Sequence, residues 1–306
     1  MKWISIAVAI GIGCLYSSMT WAELSRGEIE YRRGNFASAI HDWRPLAEQG
    51  NAQAQFNLAI MNERGQGVPQ NPSEAAKWYR LAADLGHASA QYNLAGFYLM
   101  GVGVEEDAAE AARLYRLAAE QGHAQAQFRI AMLYLEGRGT QPDYAQAAEW
   151  LEAAAEQDVI AAQNNLGSLY ETGLGVTQDY VQAVDLYRRA AEQGDAYAQN
   201  NLGVMYAQGR GTDRNHAWAV FWFSLAVQSG HELAIDNLQA SLPYLEEGQV
   251  SGSRVNVRAG ASIEHEVIAS MERGAPVRIL GRTDDWAQVY LEEENRLGWI
   301  SSSLLE

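Results

Sequence analysis

The chain has 306 residues, and 48% of them are hydrophobic, too many for a disordered polymer. Its formal net charge of −16 repels phosphate backbones and anionic membrane surfaces, which argues against nucleic acid as a partner. A single cysteine, Cys14, excludes an intramolecular disulfide and argues against thiol catalysis and cysteine-based zinc sites.

The first 22 residues have the layout of a secretory signal peptide. Lys2 gives a positive start, Trp3 to Tyr16 is an uncharged and largely apolar run, and Thr20 and Ala22 are small residues before Glu23. The apolar run is short of the roughly 20 residues that a membrane-spanning helix needs. Cleavage after Ala22 would send a cysteine-free mature chain to the periplasm, or out of the cell. Two alternatives stay open: lipid attachment at Cys14, which follows Gly11-Ile12-Gly13, and an uncleaved anchor.

Residues 23–247 are organised by self-similarity. Glu48-Gln49-Gly50, Asp84-Leu85-Gly86, Glu120-Gln121-Gly122, Glu156-Gln157-Asp158, Glu192-Gln193-Gly194 and Gln228-Ser229-Gly230 recur every 36 residues. They bound five ungapped units, 51–86, 87–122, 123–158, 159–194 and 195–230. Each unit predicts two helices. The first buries positions such as Ala54, Leu58 and Ala59, spaced i, i+4, i+5, with Tyr98, Tyr134, Tyr170 and Tyr206 one turn later and Asn62 as the exception. A Gly-x-Gly pair, such as Gly101/Gly103, then breaks the helix. It lacks the preceding strand and following Gly-Lys-Ser/Thr of a phosphate loop. The second helix alternates small and large residues, as in Ala76, Trp78, Tyr79, Ala82 and Ala83. No single pair can bury its own apolar face, so the array is stable only as an array. Residues 25–50 and 231–246 read as caps, the latter restarting a helix through Ala234 and Leu238 and stopping at Pro243.

These units resemble the Sel-1-like repeats, relatives of the tetratricopeptide repeats. The resemblance is carried by the Ala-Gln-x-Asn-Leu-Gly-x-x-Tyr runs at Ala162 to Tyr170 and Ala198 to Tyr206, the glycine loop, and the Ala-x-x-Trp/Leu-Tyr second helix. It implies an all-α, right-handed superhelical solenoid that acts as an adaptor or scaffold in protein complexes. Many bacterial members hold disulfides, which this chain cannot form.

After Pro243 the helical period gives way to β-branched alternation: Val255–Arg258, Val267-Ile268, Pro276–Leu280, Trp286–Tyr290 and Gly298–Ile300. Short strands at close spacing predict a small all-β barrel over 248–306, with Glu246 to Gly252 as a linker. Val255-Asn256-Val257-Arg258-x-Gly260, Trp286-x-x-Val289 and Gly298-Trp299-Ile300 make this segment similar to a bacterial Src-homology-3 domain. That resemblance implies binding of peptide or cell-wall peptidoglycan, with Trp286, Tyr290 and Trp299 as candidate ligand contacts.

Nothing in the pattern assembles a catalyst, a metal site or a cofactor site. His231-Glu232 and His265-Glu266 lack the second histidine of a zinc-protease helix, since Ile235 and Ala269 occupy those positions. His87, His123 and His231 share one repeat position with Asn51, Val159 and Asp195, which marks a helix start and not a ligand. No serine sits in Gly-x-Ser-x-Gly. The functional candidates are two rows on the first helices. One reads Asn57, Asn93, Arg129, Asn165, Asn201 (and Asn237 in the cap); its neighbour reads Phe56, Tyr92, Phe128, Asn164, Asn200. In related solenoids the first helices line the concave face, where amides can bond an extended peptide and rings add apolar contact. Amides that only tie neighbouring repeats together are an equal reading. Arg129 is the departure, a cation able to pair a partner's carboxylate. The expected function is thus a non-enzymatic envelope scaffold with a protein or peptide partner. The alternatives are wall binding through the barrel or a secreted factor acting on host cells.

Overall fold

A computed structural model of the chain describes residues 23–306; the signal peptide read at 1–22, with Cys14, lies outside the described residues. The chain divides into two compact units, one up to Ala153 and one from Ala154 onward. In the first, residues 23–32 form α1. They are followed by α2 (Phe36–Glu48), α3 (Ala52–Arg64), α4 (Pro72–Asp84), α5 (Ala88–Met100), α6 (Ala108–Glu120) and α7 (Ala124–Glu136). Then come α8 (Tyr144–Glu156), α9 (Ile160–Thr172), α10 (Tyr180–Glu192), α11 (Ala196–Gln208), α12 (His216–Gln228) and α13 (Ala234–Ser241). The chain is thus a solenoid of helical hairpins followed by a small β domain.

Most of the repeat helices start at a residue whose side chain caps them. Asn71, Asp107, Asp179 and Asn215 cap the second helices, each side-chain oxygen accepting from a backbone N–H two or three residues on. The shared position before the first helices is also a cap. Asn51 and Asp195 accept from Ala54 N and Ala198 N at 2.9 and 2.7 Å. His87 and His123 do the same through Nδ1, from Ala90 N and Ala126 N, both at 3.2 Å. Val159 makes no side-chain cap. The helix-start reading therefore holds for His87 and His123, but the N-cap residue of α13 is Leu233, not His231.

The hairpins interlock through small residues. Ala54, Ala90 and Ala126 are fully buried, as are Ala59, Ala95 and Ala131, so helices approach closely around Tyr79, Leu94, Tyr115 and Ile130. Each such large side chain contributes on the order of 1.5–3 kcal/mol by leaving water. The second loop glycine is a steric demand. At Gly139 a Cβ would overlap the Ala108 carbonyl, and at Gly211 the Tyr180 carbonyl; each carbonyl belongs to the first turn of the preceding repeat's second helix.

A row absent from the sequence reading stitches the repeats together. Gln55, Gln91, Gln127, Gln163 and Gln199 are all buried. Their Nε2 groups donate to the carbonyls of Ala47, Ala83, Ala119, Ala155 and Ala191 at 2.9–3.3 Å. Each of those carbonyls lies in the last turn of the preceding helix and also accepts from the backbone N–H three residues on, as Ala47 O does from Gly50 N at 3.0 Å, so the glutamine adds a second donor to it. Gln121 and Gln193 in turn donate to Gln91 Oε1 and Gln163 Oε1 at 2.7 and 3.0 Å.

The β domain belongs to the second unit. It comprises β1 (Glu246–Gln249), β2 (Arg254–Arg258), β3 (Val267–Glu272), β4 (Pro276–Arg282), β5 (Trp286–Leu291) and β6 (Arg296–Ser301). The antiparallel sheet has the order β1-β4-β5-β6-β2-β3, closed around Val255, Val257, Val277, Ile279, Val289 and Ile300. The expected linker is corrected here: Glu246–Gln249 is a paired strand, in register with Pro276 to Ile279 of β4. Its run Glu-Glu-Gly-Gln carries no apolar alternation, so the sequence pattern hid it. The domain does not hang free. Leu280, Tyr290 and Leu297 pack into a core with Val220, Phe223, Leu238 and Leu242 of the last helices.

Candidate functional site

Three of the predicted residues, Tyr92, Asn93 and Arg129, line one cavity of about 300 Å³ in the first unit. Its walls come from α3 (Glu63), α5 (Tyr92, Asn93, Gly96, Phe97, Leu99, Met100), α6 (Tyr115) and α7 (Arg129). Position 96 opens it. The equivalent residues in other repeats are Ile60, Met132, Ser168 and Val204, whereas Gly96 leaves the Tyr115 hydroxyl 3.6 Å from where a Cβ would stand.

The polar groups around the cavity differ in how far they are committed. Asn93 Nδ2 donates to Tyr79 Oη at 3.0 Å, and that hydroxyl donates to the Glu63 carboxylate. Burial, then the Glu63 carboxylate, pushes the Tyr79 hydroxyl far above the usual phenol range. Burial also raises Tyr115, to about 12, so its hydroxyl is a donor at any physiological pH. Arg129 is exposed and has no carboxylate partner among the described residues; its guanidinium lies 6.0 Å from the Phe128 ring centroid. The reason is local. In the second unit Asn201 donates to Asn164 Oδ1 at 3.1 Å and Asn237 to Asn200 Oδ1 at 2.8 Å. The residue facing Arg129 in that pairing is Tyr92, whose ring offers no amide oxygen.

The other predicted residues are scattered. Asn57 accepts from Gln53 at 3.0 Å and lines a separate cavity with Tyr31 and Arg64. Asn165 donates back to Ala161 O at 2.7 Å within its own helix. Phe56 and Tyr92 are half-buried, stacked on His87 and His123 with centroids 4.5 and 4.8 Å apart. Burial lowers both histidines below the usual imidazole range. In the β domain Trp286 and Trp299 are half-buried. Tyr290 is a correction: it is 4% exposed, packed on α12 and α13, with its hydroxyl bonded to Asn295, so it offers no ring to a ligand. Alternation told which residues share its strand face but not that helices cover part of that face.

This chemistry is that of binding. A free cation, a committed carboxylate, an amide and a protonated phenol converge without a nucleophile–base pair, and no cluster of metal-ligating side chains occurs among the described residues. No helix among them is long and apolar enough to cross a membrane.

The Sel1 repeat model matches residues 52–87, 88–123, 124–159, 160–195 and 196–231, and the bacterial SH3 domain model matches 253–306. Among solved structures, the chain is similar to a protective antigen present in uropathogenic Escherichia coli strains and displaying an SLR fold. The identity is 35% and the TM-score 0.69, over 76% of this chain and 50% of that one. This chain thus spans about half the length of that antigen. A Sel1 repeat protein from Oxalobacter formigenes is 34% identical with a TM-score of 0.66, over 70% of this chain and 88% of that one. No curated protein matches the sequence. Sel1 repeats and a bacterial SH3 domain together support a role in protein interaction or cell-wall binding. With five consecutive repeats matched, the chain belongs to the Sel1 repeat family.

Proposed function

We propose that the protein is a non-enzymatic scaffold of the bacterial envelope, exported by its N-terminal leader, that holds a peptide segment of a protein partner on its first helices. The observation that supports this reading best is Arg129, an unpaired cation beside the half-open cavity of Tyr92, Asn93 and Tyr115. A guanidinium that spends none of its donors on the described residues can give a fork of hydrogen bonds to a carboxylate. Asn93 and Tyr115 add neutral polar groups beside it, and Tyr92 and Phe97 add apolar surface. The partner is accordingly a segment bearing an acidic side chain or a free C-terminus.

The test is affinity capture from envelope extract with the mature wild type, Arg129→Glu and Gly96→Ile. Charge reversal should remove the specific partner, and Gly96→Ile, which fills the cavity with the side chain found at position 60, should weaken capture while leaving the fold intact. Equal recovery of every partner by all three proteins would sink the reading.

A further inference from the structure

A second cavity, of about 240 Å³, lies where α12 meets the β domain, within one compact unit. Its lining is Asn215, Ala217, Trp218 and Phe221 from the start of α12, and Leu280, Gly281 and Gln288 from β4 and β5. We infer that this slot is a saccharide-binding site, built jointly by the last repeat and the SH3 domain, that takes one uncharged pyranose ring of a glycan.

The floor is held in place by the docking contact. Across β5 and β6, Tyr290 pairs with Leu297 and Gln288 with Trp299, so these four side chains share one sheet face. Tyr290 is buried against α12 and α13, and Leu297 packs half-buried against the same cluster. Two residues further along the strand, Gln288 emerges from under the helix at the slot, with Trp299 opposite it. Trp218 stands on the other wall, 48% exposed, braced edge-on by Phe221 at 5.4 Å and stacked on Tyr206 at 6.1 Å. A large ring is thus fixed in orientation yet half bare.

The lining selects the ligand class. It contains no ionisable residue, so a phosphate or carboxylate entering it would lose water without gaining a counter-charge. What it offers is flat aromatic surface and neutral hydrogen-bonding groups. The Gln288 amide and the Trp218 indole N–H have no partner among the described residues. Asn215 spends its Oδ1 on the Trp218 backbone N–H, 3.0 Å away, which leaves its amide N–H₂ as a donor. The C–H face of a pyranose stacks on an indole, and its hydroxyl and acetamido oxygens accept from such donors. The volume is below the roughly 300–1,000 Å³ of drug-sized pockets, matching one ring with its neighbours lying outside. Trp299 continues the same strand face and would meet the next ring.

The site is independent of Arg129 and of the proposed peptide partner. Its test uses the full mature chain and the soluble N-acetylglucosamine tetramer, followed by tryptophan fluorescence and calorimetry, with sedimentation on purified sacculi in parallel. The wild type should bind both, and Trp218→Ala should lower tetramer affinity by on the order of tenfold. Gln288→Ala should lower it by a few-fold, while Trp218→Phe should retain most of it and Arg129→Glu all of it. Unchanged melting temperature of the exposed-residue variants separates loss of site from loss of fold. Absence of tetramer binding by the wild type, undiminished binding by Trp218→Ala, or binding of a proline-rich peptide in place of the tetramer would each overturn the assignment.

Discussion

Up to Ala153, the residue at positions 56 and 92 links successive first helices through rings; from Ala154 on, the same repeat position, at 164 and 200, links them through amides. Phe56 stacks on His87 and Tyr92 on His123, whereas Asn164 accepts from Asn201 and Asn200 from Asn237. The same repeat position thus performs one structural task with two chemistries. The consequences differ. Amide pairing commits one donor each of Asn201 and Asn237 and an acceptor site each of Asn164 and Asn200 to holding the repeats together. Ring stacking occupies the histidine caps instead and releases Arg129 toward the cavity. A repeat array can therefore keep its geometry constant while moving a binding group in and out of availability, one unit at a time.

The comparison assumes that the hairpin geometry is the same in both units, and its most damaging test addresses that. Gly139→Ala and Gly211→Ala each place a methyl into a backbone carbonyl at positive φ, +71° and +67°. Each should destabilise its unit by about 2–5 kcal/mol in urea melts. Gly122→Ala and Gly194→Ala, also at positive φ but with open space around the new Cβ, should cost only about 1–2 kcal/mol. Unequal costs within either pair would mean that the two units do not share one loop design.

The amide link is next in size. Asn201→Leu leaves Asn164 Oδ1 without its donor and should cost about 1–2 kcal/mol, with no dependence on pH between 5 and 8. The ring link should behave in the opposite way. His87 and His123 cap their helices through an unprotonated Nδ1, and burial lowers both below the ordinary imidazole range. The folded state therefore binds fewer protons than the unfolded chain. The stability from these caps is fully present above about pH 6.5, the unfolded value, and is lost as pH falls through the depressed folded values. Melting temperature should drop on acidification through that window, and His87→Asn with His123→Asn, copying the cap at Asn51, should flatten the drop. Conversely, Asn164→Phe with Asp195→His should carry the ring link and its acid sensitivity into the second unit. A flat wild-type profile would show that the histidines are not coupled to folding.

How much of this could be read beforehand depends on whether a residue's role was set by local repeat or by what covers it. The 36-residue period, the helix-start position shared by Asn51, His87, His123 and Asp195 and the loop glycines act within a hairpin or on the adjacent one, and the sequence carried them plainly. The solenoid, the β domain and the three lining residues Tyr92, Asn93 and Arg129 were legible for that reason. Gly96 was legible in principle, being the single glycine among Ile60, Met132, Ser168 and Val204, but its effect is a void, which a residue list does not display. Tyr290 was misread because the strand pattern cannot say that α12 lies over half a sheet face. The strand Glu246–Gln249 was missed because backbone pairing with β4, not side-chain alternation, makes it one.

The buried glutamine row is the instructive miss, since its signal was present: Gln55, Gln91, Gln127, Gln163 and Gln199 recur without exception, in a helix position flanked by alanine. Polarity hid a core role. The smallest expected effect tests how complete that row is in each unit. Gln121 and Gln193 satisfy the Oε1 atoms of Gln91 and Gln163, but Leu85 and Ser229 stand where the donors for Gln55 and Gln199 would be, and both of those oxygens are buried without a partner. Leu85→Gln, at an exposed site, should supply the missing donor in the first unit, and Ser229→Gln should do so in the second. Each should stabilise by about 0.5–1 kcal/mol in denaturant titrations, since the oxygen is desolvated in the folded state whether or not it is bonded. Because the glutamine row is indifferent to whether rings or amides link the first helices, the two gains should be equal. A gain confined to one unit would locate a difference between them below the level of the surface rows.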